Sequence, residues 1–261
     1  MSDKRTPVQL AEDMPLVAHL TELRSRLLRI ILIWMVIFAG LFYFANDLYT
    51  FISEPLRAFM PEGTSMIATD VASPFLTPFK LALVSALFIA MPFVLHQLWS
   101  FIAPGLYKHE KRLAVPLLAS SIVLFYSGMA FAYFVVFPLV FGFFTSTAPE
   151  GVAVMTDINK YLDFVLTLFM AFGLAFEIPV ATILLVLAGA VDVAKLRQIR
   201  PYVVVGCFVI GMVLTPPDVI SQALLAIPMW LLYEVGILFS SMLKPIQRDA
   251  AETDPEQQPP A

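Results

Sequence analysis

A chain of 261 residues that is 59% hydrophobic and only 14% charged carries more apolar surface than a soluble domain of that size needs for its core. Its mean hydropathy is +0.84, and several apolar runs approach or exceed the ~20 residues that cross ~30 Å of hydrocarbon as helix. A single cysteine, Cys207, excludes a disulfide framework and a cysteine-based metal site, and no connection is long enough for a large second domain. The formal net charge of −4 says less than where the charges fall.

Residues 1–26 form a polar segment of mixed charge, expected on the cytoplasmic side. It ends in His19-Leu20-Thr21-Glu22-Leu23-Arg24-Ser25-Arg26, where Leu20, Leu23, Arg24 and Leu27 follow a helical repeat, the mark of an amphipathic entry helix. Glu22 is spaced to pair with Arg26; it is also an acid that a partner could use. The first apolar run, Leu27–Phe44, is too long for a signal-peptide core and is followed by no Ala-x-Ala site, so it is read as a retained span.

Five further spans are expected at Thr77–Leu98, Leu113–Phe137, Tyr161–Ala188, Tyr202–Leu214 and Val219–Leu243, making 27–243 a six-helix membrane domain. Two outer loops, Asn46–Ser73 and Pro138–Lys160, carry enough apolar residues to be ordered caps. Spans five and six form a short hairpin around Thr215-Pro216-Pro217-Asp218, whose prolines cannot continue a helix. A re-entrant hairpin would leave the ends in the same place. Residues 244–261 are polar, proline-bearing and expected to be disordered.

Thirteen of the sixteen Lys and Arg residues fall on the side of the two termini, leaving Arg57, Lys80 and Lys160 for the other. That asymmetry predicts both termini in the cytoplasm. Pro92, Pro179 and Pro228 lie inside spans, where each removes a backbone hydrogen bond; bent helices can enclose a concavity, although tolerated kinks are common in membranes.

Glu177 is the most informative residue. It sits in the apolar run from Phe164 to Val191, where an acid solvated by lipid costs at least ~2.5 kcal/mol, so it is expected to face protein, a water-filled cavity or a partner. Between spans two and three, Phe101-Ile102-Ala103-Pro104-Gly105-Leu106-Tyr107-Lys108-His109-Glu110 puts aromatics and an acid among the bases. Glu110 suits a bidentate pair with an incoming arginine, and Phe101 suits packing on its guanidinium face or stem. On chemistry alone, pairing of Glu110 with Lys111 or Arg112 is the simpler account. Gln222 suits a hydrogen bond worth ~1 kcal/mol, to a partner helix or within the chain.

The signs of an enzyme are missing. His109-Glu110-Lys111-Arg112-Leu113 begins like the zinc-protease pattern but lacks its second histidine, Ser127-Gly128 lacks the glycine of a nucleophile elbow, and there is no phosphate-binding glycine loop. No cofactor or metal is expected.

Six segments, in order, carry a resemblance: His19-Leu20-Thr21-Glu22-Leu23-Arg24; Ala72-Ser73-Pro74-Phe75-Leu76-Thr77-Pro78; Phe101 to Glu110; Phe176-Glu177-Ile178-Pro179; Arg200-Pro201-Tyr202; and Leu214-Thr215-Pro216-Pro217-Asp218. Together they make the chain resemble the TatC family, the receptor subunit of the twin-arginine protein translocase, with Met66-Ile67-Ala68-Thr69-Asp70 similar to its proteobacterial branch. The resemblance implies an all-α, six-helix, concave glove-like fold in the bacterial inner membrane, with both termini cytoplasmic. It implies binding of twin-arginine signal peptides and transport of folded proteins with TatA and TatB, driven by the proton-motive force, from a homo-oligomeric TatB-TatC receptor complex. By position it assigns Phe101, Glu110, Glu22 and Arg24 to signal-peptide binding and Glu177 to an intramembrane polar site on the concave side. Met212, Thr215 and Gln222 fall at a partner-helix contact, and Pro55 and Asp218 at sensitive outer positions. Two rivals stand beside it. A proton-coupled small-solute transporter with Glu177 as relay lacks the internal repeat such proteins show; a purely structural scaffold predicts that changes at Glu110 and Phe101 are silent.

Overall fold

Lipid offers no hydrogen bonds to the backbone, so an apolar chain satisfies its own N–H and C=O groups by forming helices. The computed structural model describes residues 7–57, 66–102, 114–146, 155–214 and 219–242, and these contain no β-strand. Helix α1 (Pro7–Leu41) joins the entry segment and the first span in one unbroken rod. A turn of 3₁₀ helix leads into α2 (Ala45–Arg57), followed by α3 (Ser73–Ile102). The third span comprises α4 (Ala114–Phe131), a π-helical turn at Ala132–Val136 and α5 (Phe137–Ser146). The fourth comprises α6 (Ile158–Ala175) and α7 (Ile178–Leu187). A short α8 (Val193–Gln198) precedes α9 (Arg200–Leu214) and α10 (Val219–Met242).

Five of these helical stretches are long and apolar enough to cross a membrane, and α9 is a shorter sixth. At 15 residues, α9 spans about 22 Å. The expected outer loops are more helical than their composition suggested. Residues 46–57 of the expected loop Asn46–Ser73 lie in α2, which buries Ala45, Ile52 and Ser53 while Asn46 and Phe51 stay exposed. Pro138 to Ser146 prolongs the third span as α5 directly after the π-helical turn, the kind of local adjustment by which a membrane helix tolerates a proline.

The main core lies between α3, α4, α5 and α6, centred on Leu81, Phe125, Phe137, Leu162, Leu168 and Phe172. Phe137 and Phe169 meet with ring centroids 5.2 Å apart, and Phe88 stands edge-on to Phe169 at 6.1 Å. Helix association in lipid depends on close packing rather than on escape from water. Gly128 supplies that closeness: a Cβ there would lie 2.4 Å from the Phe172 carbonyl oxygen, so α4 and α6 touch backbone to side-chain-free backbone. A smaller core of Ala175, Cys207, Ala226 and Met229 joins α9 and α10 to the fourth span. Helix α1 packs almost wholly on α3, held by the Trp34 indole, which donates to the Leu83 carbonyl at 2.8 Å.

At the end of the bundle that carries Lys80 and Lys160, Asp157 organises the cap. It accepts from the backbone N–H groups of Asn159 and Lys160 with one oxygen, capping α6, and from the hydroxyl and N–H of Thr69 with the other. Ile67 pairs with Asp157 in an isolated parallel bridge. The Tyr161 hydroxyl donates to the Ile52 carbonyl at 2.8 Å, tying α6 to α2. At the opposite end α7 stops at Gly189, whose φ of +65° is the left-handed conformation that closes a helix and that other residues adopt at a cost.

Candidate functional site

The fourth span breaks where Pro179 removes the N–H that would bond the Ala175 carbonyl. Helix α6 closes at Phe176, α7 restarts with Pro179 in its first turn, and Glu177 stands in the gap with φ −78° and ψ −13°. Its carboxyl meets the hydroxyl of Ser121 on α4, while Oε1 is buried with no hydrogen-bond partner. Ser121 is itself 1% exposed and accepts from the Trp99 indole N–H at 3.3 Å. A hydroxyl has one donor and two lone pairs, so Ser121, which receives from Trp99, keeps its own proton on the side of the Glu177 carboxyl. Trp99 in the last turn of α3, Ser121 on α4 and Glu177 at the break in span four thus form one polar cluster.

Beside this break lies a cavity of about 800 Å³, walled by Val84 of α3, Leu166, Met170 and Leu174 of α6, Ile178 of α7, Ile210 and Leu214 of α9 and Met229 of α10. Its polar margin is the ion pair of Lys80 and Asp163. The concavity expected from bent spans is therefore present. Ala175 and Ile178 line it, whereas Glu177 between them turns its carboxyl to Ser121.

A second constellation forms where α1 crosses the end of α3. Arg26 donates from Nε and Nη2 to Glu22 Oε1 at 3.0 and 2.5 Å, the local pairing that the i,i+4 spacing offered. The same guanidinium reaches α3, with Nη1 on Gln97 Oε1 at 3.3 Å and Nη2 on the Ser100 carbonyl at 3.2 Å. Phe101, the next residue, is half-buried at the end of α3. Arg24 is exposed and lines a hollow of about 410 Å³ with Thr21, Ser25, Leu28, Arg29 and Leu32. Glu22, Arg24 and Phe101 thus sit at one end of the bundle, whereas Glu177 lies elsewhere, linked to that end through Trp99. Glu110 lies outside the described residues.

In the α9–α10 hairpin, Gln222 donates to the Phe208 carbonyl at 2.8 Å, an intrachain use of its amide. Met212 is half-exposed on α9, beside exposed Val209 and Val213. Thr215 and Asp218 lie outside the described residues; Pro55 falls within α2. Arg200 pairs with Glu234 at 2.6 Å, tying α9 to α10. Sequence reasoning assigned no role to Gln97, Trp99 or Ser121. Their types are ordinary at interfaces and in helices, and only the packing of α3 on α1 and α4 gives them partners.

An all-helical, multi-pass membrane protein with a polar break in one span and an apolar cavity beside it is the class that fold and site define. The family model described as Sec-independent protein translocase protein (TatC) matches residues 18–228, and the chain belongs to that family. It is 68% identical over 246 residues to the Sec-independent protein translocase protein TatC of Azotobacter chroococcum mcd 1, covering 94% of this chain and 96% of that one. To the TatC of Escherichia coli strain K12 it is 60% identical, covering 89% and 90%. Among solved structures it is similar to a crystal structure of the twin arginine translocase receptor TatC, with TM-score 0.77, 38% identity, and coverage of 86% of this chain and 98% of that one. A crystal structure of the same receptor in DDM superposes with TM-score 0.78 at 39% identity, covering 85% and 99%.

Proposed function

We propose that this protein is the signal-peptide receptor of a twin-arginine translocase in a bacterial inner membrane. In this reading both termini are cytoplasmic, as the distribution of Lys and Arg favours. Paired arginines of a folded precursor dock on Glu22, Glu110 and Phe101, with Arg24 shaping the electrostatics of the same surface. The apolar part of the signal peptide then enters the cavity beside Glu177. TatA and TatB complete the machine, Met212, Thr215 and Gln222 contact a partner helix, and Pro55 and Asp218 act at the outer face. Several copies assemble with TatB, and the proton-motive force supplies the energy; no catalytic or nucleic-acid-binding role is assigned.

One observation carries the docking step: Arg26 bonds both Glu22 on α1 and the Ser100 carbonyl on α3. This brings an acid placed to take a guanidinium beside the turn that presents an aromatic ring, a pairing that serves bidentate and stacking contacts with arginine. The test is photocrosslinking from a probe at position 101 to a signal peptide in membranes, with Arg-Arg or Lys-Lys at the recognition site. Crosslinks with Arg-Arg that vanish with Lys-Lys support a receptor that reads guanidinium geometry; equal crosslinking of both sinks the docking step.

A further inference from the structure

The proposed docking surface contains a guanidinium of its own. Arg26 is mostly buried, with a side chain 20% exposed against 45% for Glu22, so it is not a surface charge that happens to meet an acid. An exposed i,i+4 pair by itself contributes little. The other two acceptors explain the burial: Gln97 is 7% exposed and would hold an unsatisfied amide oxygen without Arg26, and the Ser100 carbonyl belongs to the last turn of α3, the negative end of the helix dipole. One planar fork thus satisfies three acceptors on two helices.

Both bonds to Glu22 end on Oε1. A carboxylate oxygen has two lone pairs, so Oε1 is filled, while Oε2 takes no bond among the described residues and is left for a ligand. We propose that Arg26 is a positioning residue for the docking site: by fixing Glu22 against the last turn of α3, it presents Oε2 to an incoming arginine and sets selectivity for a guanidinium over an ammonium. The inference rests on the receptor reading above. A planar fork can place one N–H on Oε2 and another on a neighbouring acceptor of this corner, whereas an ammonium is a point charge that gains little from the fixed geometry. Lysine at position 26 cannot replace Arg26 either, because it cannot reach three acceptors in one plane.

The test uses the full chain with its translocase partners in native membranes and a photoreactive signal peptide carrying Arg-Arg or Lys-Lys. Arg26→Lys should lower Arg-Arg crosslinking about tenfold, the scale of one lost charge-assisted hydrogen bond, and leave Lys-Lys crosslinking unchanged, so that the ratio collapses. Gln97→Leu, which removes one anchor without altering charge, should reduce the ratio in the same direction. It decides the matter if Arg26→Lys fails to accumulate. A wild-type ratio in the variant that folds overturns the positioning role and leaves the receptor reading intact. Absence of discrimination by the wild-type protein overturns the receptor reading itself.

Discussion

Pro92 sits deep in α3 and has no N–H, so the Phe88 carbonyl four residues earlier loses its helical donor. The Tyr126 hydroxyl of α4 supplies one instead, at 2.9 Å. Tyr126→Phe removes that donor and nothing else of size. Hydrogen bonds of this kind contribute a net ~1 kcal/mol in general and ~0.6, at most ~1.7, between membrane helices. Phe88 is 4% exposed, so its bare carbonyl finds no water and the cost should lie at the upper end, about 1–2 kcal/mol. In a Pro92→Ala background the backbone N–H returns and satisfies the same carbonyl, and Tyr126→Phe should then cost ~0.5 kcal/mol or less. The coupling of ~1 kcal/mol is measurable as a double-mutant cycle by denaturant unfolding of the purified protein in detergent micelles. Equal costs in the two backgrounds would refute the view that Tyr126 compensates for Pro92.

Three further outcomes follow from the packing and the charges. Gly128→Ala puts a methyl 2.4 Å from the Phe172 oxygen, forcing α4 and α6 apart at about 1–3 kcal/mol; a variant as stable as wild type would show that the two helices separate freely. Glu177→Met replaces a carboxyl with an unpartnered buried oxygen, so it should stabilise the isolated protein by about 1 kcal/mol while impairing export of a folded reporter; loss of stability would mean that the contact with Ser121 outweighs the orphaned oxygen. The Thr69 hydroxyl, and then backbone N–H groups, hold the Asp157 carboxyl well below the usual carboxylate range. Because the folded group ionises at lower pH than the unfolded one, its stabilisation is complete above the ordinary value of ~3.9 and is lost as pH falls below it. Melting curves from pH 7 downward should therefore show a shallower acid limb for Asp157→Asn than for wild type, and identical limbs would remove Asp157 from the account.

Much of the fold can be read along the chain because its causes are local. Apolar length marks the spans, and Pro179 marks the break at Glu177, although Pro92 and Pro228 lie inside the unbroken α3 and α10. The Glu22–Arg26 pair is equally local, set by one turn of helix. The helices α2 and α5 are less legible: the mixed composition of α2 resembles that of a loop until Ile52 finds the core, and Pro138 stands like a stop signal at the start of the apolar α5. Glu22 and Phe101 read as separate features for the same reason, since the Arg26 side chain that connects them reaches 71 and 74 residues along the chain.

The sequence by itself determined that the chain belongs in a membrane and roughly where its helices run, because a bilayer constrains each segment through its own hydropathy and backbone hydrogen bonds. Only the tertiary structure decided what each polar group does: that Ser121 stands between Trp99 and Glu177, that Tyr126 serves the carbonyl left by Pro92, and that Arg26 joins α1 to α3. Hydrogen bonds act over about 3 Å, so their partners are fixed by which helices lie side by side, and that is a property of packing that no single segment carries.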